Sequence, residues 1–212
     1  MRPDFLFTFG ACGYIAHMAP LLAWVVPVML FAPAWLYAQA GTFGIWKGEE
    51  RVGSVFIKRM IVGPRTKYAM TSLSNVRVVW PQEIRTSVTA DYENGELVTC
   101  RSSLHVNDAL RDSSHMWTWE GMKKAYVHPG RSSVQDSVTT WTTSRMYYEE
   151  PLGQKLVYVE SVLVHCPLER IGEGLYRLTL PNGNVNRYVY KQGVLHEVHV
   201  DRALFDLVFR RS

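Results

Sequence analysis

From Thr42 to Phe209 the chain repeats one pattern: short stretches rich in β-branched and aromatic residues, alternately apolar and polar, each closed by a turn containing Gly, Pro or Asn. A period of two sends successive side chains to opposite faces of an extended strand, so a chain built this way must bury one face of a sheet. In Gly174–Leu180 (GLYRLTL), Tyr176, Leu178 and Leu180 point one way and Leu175, Arg177 and Thr179 the other, which predicts one dry and one wet face.

The turns set the strands apart. Thr42–Gly48 and Gly53–Val62 flank the turn Gly48–Gly53, and Gly63-Pro64 ends the second of them. Thr66–Trp80 holds one long strand or two shorter ones. Arg85–Tyr92 and Glu96–Val106 flank Glu93-Asn94-Gly95, and Asn-Gly accepts the left-handed dihedrals of a tight hairpin. His115–Trp119 and Met122–Val127 surround Glu120-Gly121, and His128–Ser133 reads as a polar loop. Gly174–Leu180, Asn186–Tyr190, Val194–Val200 and Leu204–Phe209 complete the series. Only Thr143–Glu150 resists; it suits one or two helical turns, with Ser144 as N-cap and Pro151 as the stop. The expected fold is therefore mainly all-β: a single curved antiparallel sheet, half-barrel or barrel-like, with one short helix near 143–150.

Charge divides the chain in two. Phe5 to Ala40 carries no charged side chain, whereas charge is frequent from Gly41 onward. The apolar run from Met18 ends in Ala38-Gln39-Ala40, and small residues at the last and third-last positions suit a signal peptidase. The expected organisation is a signal peptide over 1–40, cut between Ala40 and Gly41, and a single antiparallel β domain over 41–212. The protein would then be periplasmic or secreted. The alternative is an inner-membrane anchor over residues 19–38, against which Pro20, Pro27 and Pro33 argue. The basic end is weak, Arg2 opposed by Asp4, so Met18 is an alternative start; Cys12 lies before the main apolar run. The net charge of +4 is interspersed, which is no nucleic-acid footprint.

Two cysteines remain after the leader, Cys100 and Cys166. An oxidising compartment would let them pair, closing a loop of about 65 residues worth roughly 4 kcal/mol. The other reading is two small thiols packed in the core. His196 and His199 are the closest histidine pair, but their spacing in a strand separates their faces and argues against a shared metal. His165 and Cys166 are likewise sent apart, which argues against a nucleophile pair. Glu49-Glu50 and Glu149-Glu150 read as solvated charge. The chain carries no nucleophile elbow, phosphate loop or dinucleotide fingerprint, and no catalytic residue, metal or cofactor is expected. The aromatic excess is the remaining signal. Trp80, Trp117, Trp119, Trp141, Tyr188 and Tyr190 either pack between strands or line a groove for an apolar or amphiphilic ligand.

Three segments carry a family resemblance: Tyr147-Tyr148-Glu149-Glu150-Pro151, Pro167-Leu168-Glu169-Arg170-Ile171-Gly172, and the run Tyr176–Gly193 with its Leu180-Pro181-Asn182-Gly183-Asn184 turn. Together with Tyr92-Glu93-Asn94-Gly95-Glu96-Leu97 they resemble an uncharacterised bacterial exported family, the domain of unknown function numbered 6134, over roughly residues 42–209. The resemblance implies a curved β-sheet or half-barrel and brings no catalytic residue with it. The functional expectation is an exported, non-catalytic protein that binds a lipid or other amphiphile. A structural or interaction module pairing with an envelope protein is the alternative, and an enzyme comes third.

Overall fold

The computed structural model describes residues 36–77, 80–135, 137–201 and 206–212. The expected leader, with Met18 and Cys12, lies outside the described residues as far as residue 35. Fourteen strands follow: β1 (Leu36–Lys47), β2 (Glu50–Val62), β3 (Arg65–Arg77), β4 (Pro81–Glu93), β5 (Glu96–Val106), β6 (Ala109–Trp119), β7 (Met122–Val127) and β8 (Arg131–Gln135), then helix α1 (Thr143–Met146), then β9 (Leu156–Val159), β10 (Val164–Gly172), β11 (Leu175–Thr179), β12 (Val185–Lys191), β13 (Val194–Val200) and β14 (Leu207–Arg211).

They form one antiparallel sheet in the order β8-β7-β6-β5-β4-β3-β2-β1-β14-β13-β12-β11-β10-β9. Every neighbouring pair but one is consecutive in sequence. The exception, β1 with β14, joins the first strand to the last through Phe43↔Arg211 to Trp46↔Val208. Two meanders thus meet at the chain's two ends, and the end strands β8 and β9 do not pair with each other, so the sheet is curved but open. The barrel-like expectation holds. Among the described residues no helix is long and apolar enough to cross a membrane.

Local chemistry explains the turns. Asn94 and Gly95 take positive φ, as do Glu120 and Gly121, and these are the tight hairpins the sequence announces. Gly53 is needed for another reason: a Cβ there would overlap the Leu73 carbonyl oxygen and lie 2.7 Å from Ser74 Cα. The register between β1 and β2 shifts beside it, between Ile45 and Trp46, and a bulge of this kind bends a sheet.

Alternation sorts the side chains as expected: along β11 and β12, Tyr176, Leu178, Tyr188 and Tyr190 are buried, and Arg177 is exposed. Burial gathers in two clusters, one around Phe43, Ile57, Tyr147, Cys166 and Leu178, the other around Tyr68, Tyr92, Leu97, Cys100 and Met116. Each fully buried apolar side chain of this size contributes about 1.5–3 kcal/mol.

Four details differ from the sequence reading. The stretch around His128–Ser133 is a shorter turn followed by β8. Strands β9 and β10 go unannounced, because Pro167 interrupts the pattern. Proline is tolerated there because the ladder to β9 ends at Pro167↔Leu156 and that to β11 begins at Leu168↔Leu178. The cap of α1 is Thr142, whose φ of −125° and ψ of 166° are extended and whose hydroxyl accepts from the Arg145 amide at 3.4 Å. Ser144 lies inside the helix instead, with its hydroxyl turned to Glu160.

Candidate functional site

A curved sheet must fill its concave face or leave room for a ligand. Here the chain between β8 and β10 crosses that face. It is held at both ends by main-chain bonds, from the Leu97 amide to the Thr139 carbonyl at 2.8 Å and from the Leu168 amide to the Lys155 carbonyl at 2.9 Å. Between them α1 and the Tyr-Tyr-Glu-Glu-Pro turn form a plug.

Each residue of that turn has a task. Tyr147 is buried edge-on against Phe43, with ring centroids 5.4 Å apart. Tyr148 lies under the Arg59 guanidinium at 5.1 Å. Glu149 Oε2 accepts two hydrogen bonds from Arg145, at 3.0 and 2.7 Å, and Oε1 accepts from Arg59 at 3.0 Å and the Tyr68 hydroxyl at 3.2 Å. Glu150 accepts from the Tyr176 hydroxyl at 2.8 Å, and burial, followed by this bond, pushes the Tyr176 pKa up to about 12. Tyr190 donates to the Met146 carbonyl at 2.6 Å, and Tyr92 donates to Thr142 at 2.9 Å. Glu149 and Glu150 are therefore half-buried anchors, not solvated charge; only their spatial partners, some 81 to 90 residues distant for Tyr68 and Arg59, reveal it.

Glu160 is the buried acid that sequence reasoning missed. It is 1% exposed, just past β9. Its carboxylate accepts from the Ser144 amide at 2.9 Å, the Thr143 amide at 3.2 Å and both residues' hydroxyls. Those amides belong to the first turn of α1, where donors have no partner within the helix. Ser114 on β6 donates to the Glu160 carbonyl at 2.5 Å, tying the plug to the far wall.

The cavity beside the plug is small. At about 180 Å³, it lies among Val55, Val88, Ser102, Glu160, Asn186 and Tyr188. Pockets for small-molecule ligands run to about 300–1,000 Å³. Asn186 Oδ1 is buried there without a hydrogen-bond partner. On the outer face, shallow grooves of about 440, 470 and 600 Å³ cross β2–β6, lined by residues such as Phe56, Ser87, Arg101, Val62 and Thr99.

The six aromatics expected to share a groove are dispersed. Trp80 is 73% exposed in the turn before β4, and Trp119 is exposed at the β6–β7 hairpin. Trp117 stacks on His115 on the outer face, with centroids 4.7 Å apart. Trp141 lies under Arg145 at 4.3 Å, while Tyr188 and Tyr190 are in the core. Of the six, only Tyr188 borders the interior cavity. Packing between strands describes Tyr188 and Tyr190, the latter edge-on to Tyr176 of the neighbouring strand at 5.6 Å.

Cys100 and Cys166 are free, and each is buried in a different hydrophobic cluster, so of the two readings the structure has the two core thiols and not the bridge. Burial raises the pKa of both, and Glu160 adds to the effect at Cys100. His165 sits against Tyr158, away from the Cys166 thiol in the core. His199 Nε2 is 3.0 Å from Glu197, and among the described residues no three His, Cys, Asp or Glu side chains gather to hold a metal. Ala38, Ala40 and Gly41 lie within β1, opposite Met60, Lys58 and Ile57 of β2.

A model of the family described as "Domain of unknown function (DUF6134)" matches residues 43–212. No curated protein matches the sequence. Among solved structures, the chain is similar to a crystal structure titled as a beta-barrel-like protein of domain of unknown function DUF1849 from Brucella abortus. The identity is 10%, the TM-score 0.50, and the match covers 82% of this chain and 94% of that one. At this identity the likeness concerns the fold alone.

Proposed function

This chain belongs to the DUF6134 family, and we propose that it is a non-catalytic interaction module of the bacterial cell envelope, released from its leader outside the cytosol. The observation that carries the reading is the plug. With α1 and Tyr147–Pro151 occupying the concave face, the cavity of about 180 Å³ beside them is too small for an amphiphile. Binding is left to the outside of the sheet.

Two features support the reading. Large apolar side chains are exposed in two places, Phe56 and Leu73 along one outer groove and Trp119 opposite Met122 at the β6–β7 hairpin, and exposed apolar surface of this kind marks contact sites. The uncharged stretch Phe5–Ala40 with its Ala38-Gln39-Ala40 ending is the signature of an exported chain.

The test is cell fractionation of the full chain with intact-mass measurement, followed by crosslinking in the envelope. The expected result is a mature protein beginning at Gly41 in the envelope fraction, crosslinked to a specific protein. Full-length protein in the cytosol, or no specific crosslinked partner, would overturn the proposal.

A further inference from the structure

The scissile position implied by the leader lies inside a paired strand. β1 runs alongside β2 for its whole length, from Leu36↔Val62 to Lys47↔Glu50. On its other side β1 meets β14 over Phe43–Trp46, and the Ser212 amide adds one bond to the Thr42 carbonyl. A cut after Ala40 therefore removes Leu36–Ala40 and leaves Lys58–Val62 without a neighbour on that side. β14 does not reach it. The other side of β2 stays paired, with Lys58↔Ala69 to Val62↔Arg65 on β3. The product is a five-residue stretch of edge held rigidly in register by the rest of the sheet.

The bared edge has unmet chemistry. Arg59 Nη2 donates to Gln39 Oε1 at 2.9 Å, and that acceptor leaves with the leader. Arg59 Nε is already buried without a partner, and only Nη1 is held, by Glu149 at 3.0 Å. The Tyr148 hydroxyl loses its bond to the Gln39 carbonyl, now 3.4 Å. On the outer face, Met60 and Val62 border the groove of about 600 Å³, and Val62 is 45% exposed even with Leu36 opposite it. The leader can set only a small residue opposite Met60, because the peptidase requires Ala38 there. A partner's strand has no such restriction.

We infer that processing between Ala40 and Gly41 turns Lys58–Val62 into a docking edge for an extended segment of another envelope protein, which adds as a strand antiparallel to β2. Main-chain hydrogen bonds supply the affinity and two side chains the choice of partner. The segment carries an apolar residue in the place of Ala38, covering Met60 and Val62, and a carboxylate or amide in the place of Gln39, accepting from Arg59. This rests on the export reading above and supplies the partner's chemistry. It also follows that cleavage precedes docking of β1, since a peptidase reads an extended, unpaired chain.

The inference is tested on the processed protein, its N-terminus verified by mass, with backbone hydrogen exchange over Lys58–Val62 as readout. The probe is a capped synthetic peptide of residues 36–40 carrying A38L and Q39E. The expected result is fast exchange at the Arg59 and Ile61 amides, which face β1, in the processed protein alone and protection on adding the peptide, while the Lys58, Met60 and Val62 amides stay bonded to β3. A peptide with Leu in the place of Gln39 should bind about tenfold more weakly or worse, the loss of a hydrogen bond to a charged group. A peptide with Pro in the place of Tyr37, whose main chain faces β2 opposite Ile61, should not protect, because proline removes a ladder donor. No protection by the first peptide on a protein that begins at Gly41 overturns the inference and leaves the export reading standing. Protection in the processed protein alone, with a dimeric mass, assigns the edge to a second copy and also overturns it. A protein that does not begin at Gly41 refutes the export reading instead.

Discussion

Arg59 on β2 donates to Glu149 Oε1 at 3.0 Å across the interior of the sheet, and this contact locks the plug to the wall. The same carboxylate is clamped by Arg145 from within the plug, 2.7 Å at its closest. Replacing Glu149 by Gln removes the charge that two guanidinium groups share and leaves them facing each other. Since the site is about one-third exposed, part of the loss is screened. Chemical denaturation should show a loss of about 2 kcal/mol for Glu149→Gln, against under 1 kcal/mol for the exposed Glu169→Gln, whose partner is Arg177.

Glu160 should matter more. Its replacement by Ala leaves the Thr143 and Ser144 amides without their acceptor inside the sheet. The expected cost is about 3 kcal/mol, with the cap variant Thr142→Ala costing about 1–2 kcal/mol. Urea midpoints of the two variants check the order; a larger loss for Thr142→Ala would contradict it.

Gly53→Ala tests the bulge. The new methyl would meet the backbone of Leu73 and Ser74, which cannot swing aside as a side chain can. A loss of about 3 kcal/mol is expected. The open position Gly48, where nothing lies within 4 Å, should tolerate Ala with a far smaller loss that comes from its positive φ alone.

Acid should weaken the fold partly through histidines. Burial lowers the pKa of His165, with Lys123 adding to it, and burial and then Arg101 lower that of His115. The folded state thus prefers both rings neutral, while the unfolded chain takes up protons near about pH 6.5. Their contribution is complete above that value and is lost as pH falls below it. His165→Gln should flatten the decline in thermal midpoint between about pH 7 and 5. An unchanged slope would contradict the assignment.

Both thiols should be silent in the folded protein. Cys100 and Cys166 are each 1% exposed, and burial disfavours the thiolate that reacts. A thiol reagent should modify neither until denaturant is added, and then both. A mass two hydrogens lower in the absence of reductant would reveal a bridge instead.

The fold was largely legible because its signals are local. Asn94-Gly95 and Glu120-Gly121 mark turns within a few residues, and two-residue alternation in Gly174–Leu180 gives the buried face directly. What failed was spatial. Glu149 and Glu160 look like any surface acid until Arg59, Tyr68, Thr143 and Ser144 are brought to them. The aromatic residues misled for the same reason: a strand face is readable, but what fills the curved sheet depends on the course of residues 137–155. The Tyr-Tyr-Glu-Glu-Pro turn, noticed as a family signature, proves to be the lock of the plug.

The concave face of this open sheet is filled by its own chain. Native mass spectrometry of the protein purified without detergent tests it most directly. The mass of the polypeptide alone is the expected result. A retained lipid or other amphiphile, released only when the plug is loosened by Glu149→Gln, would contradict it.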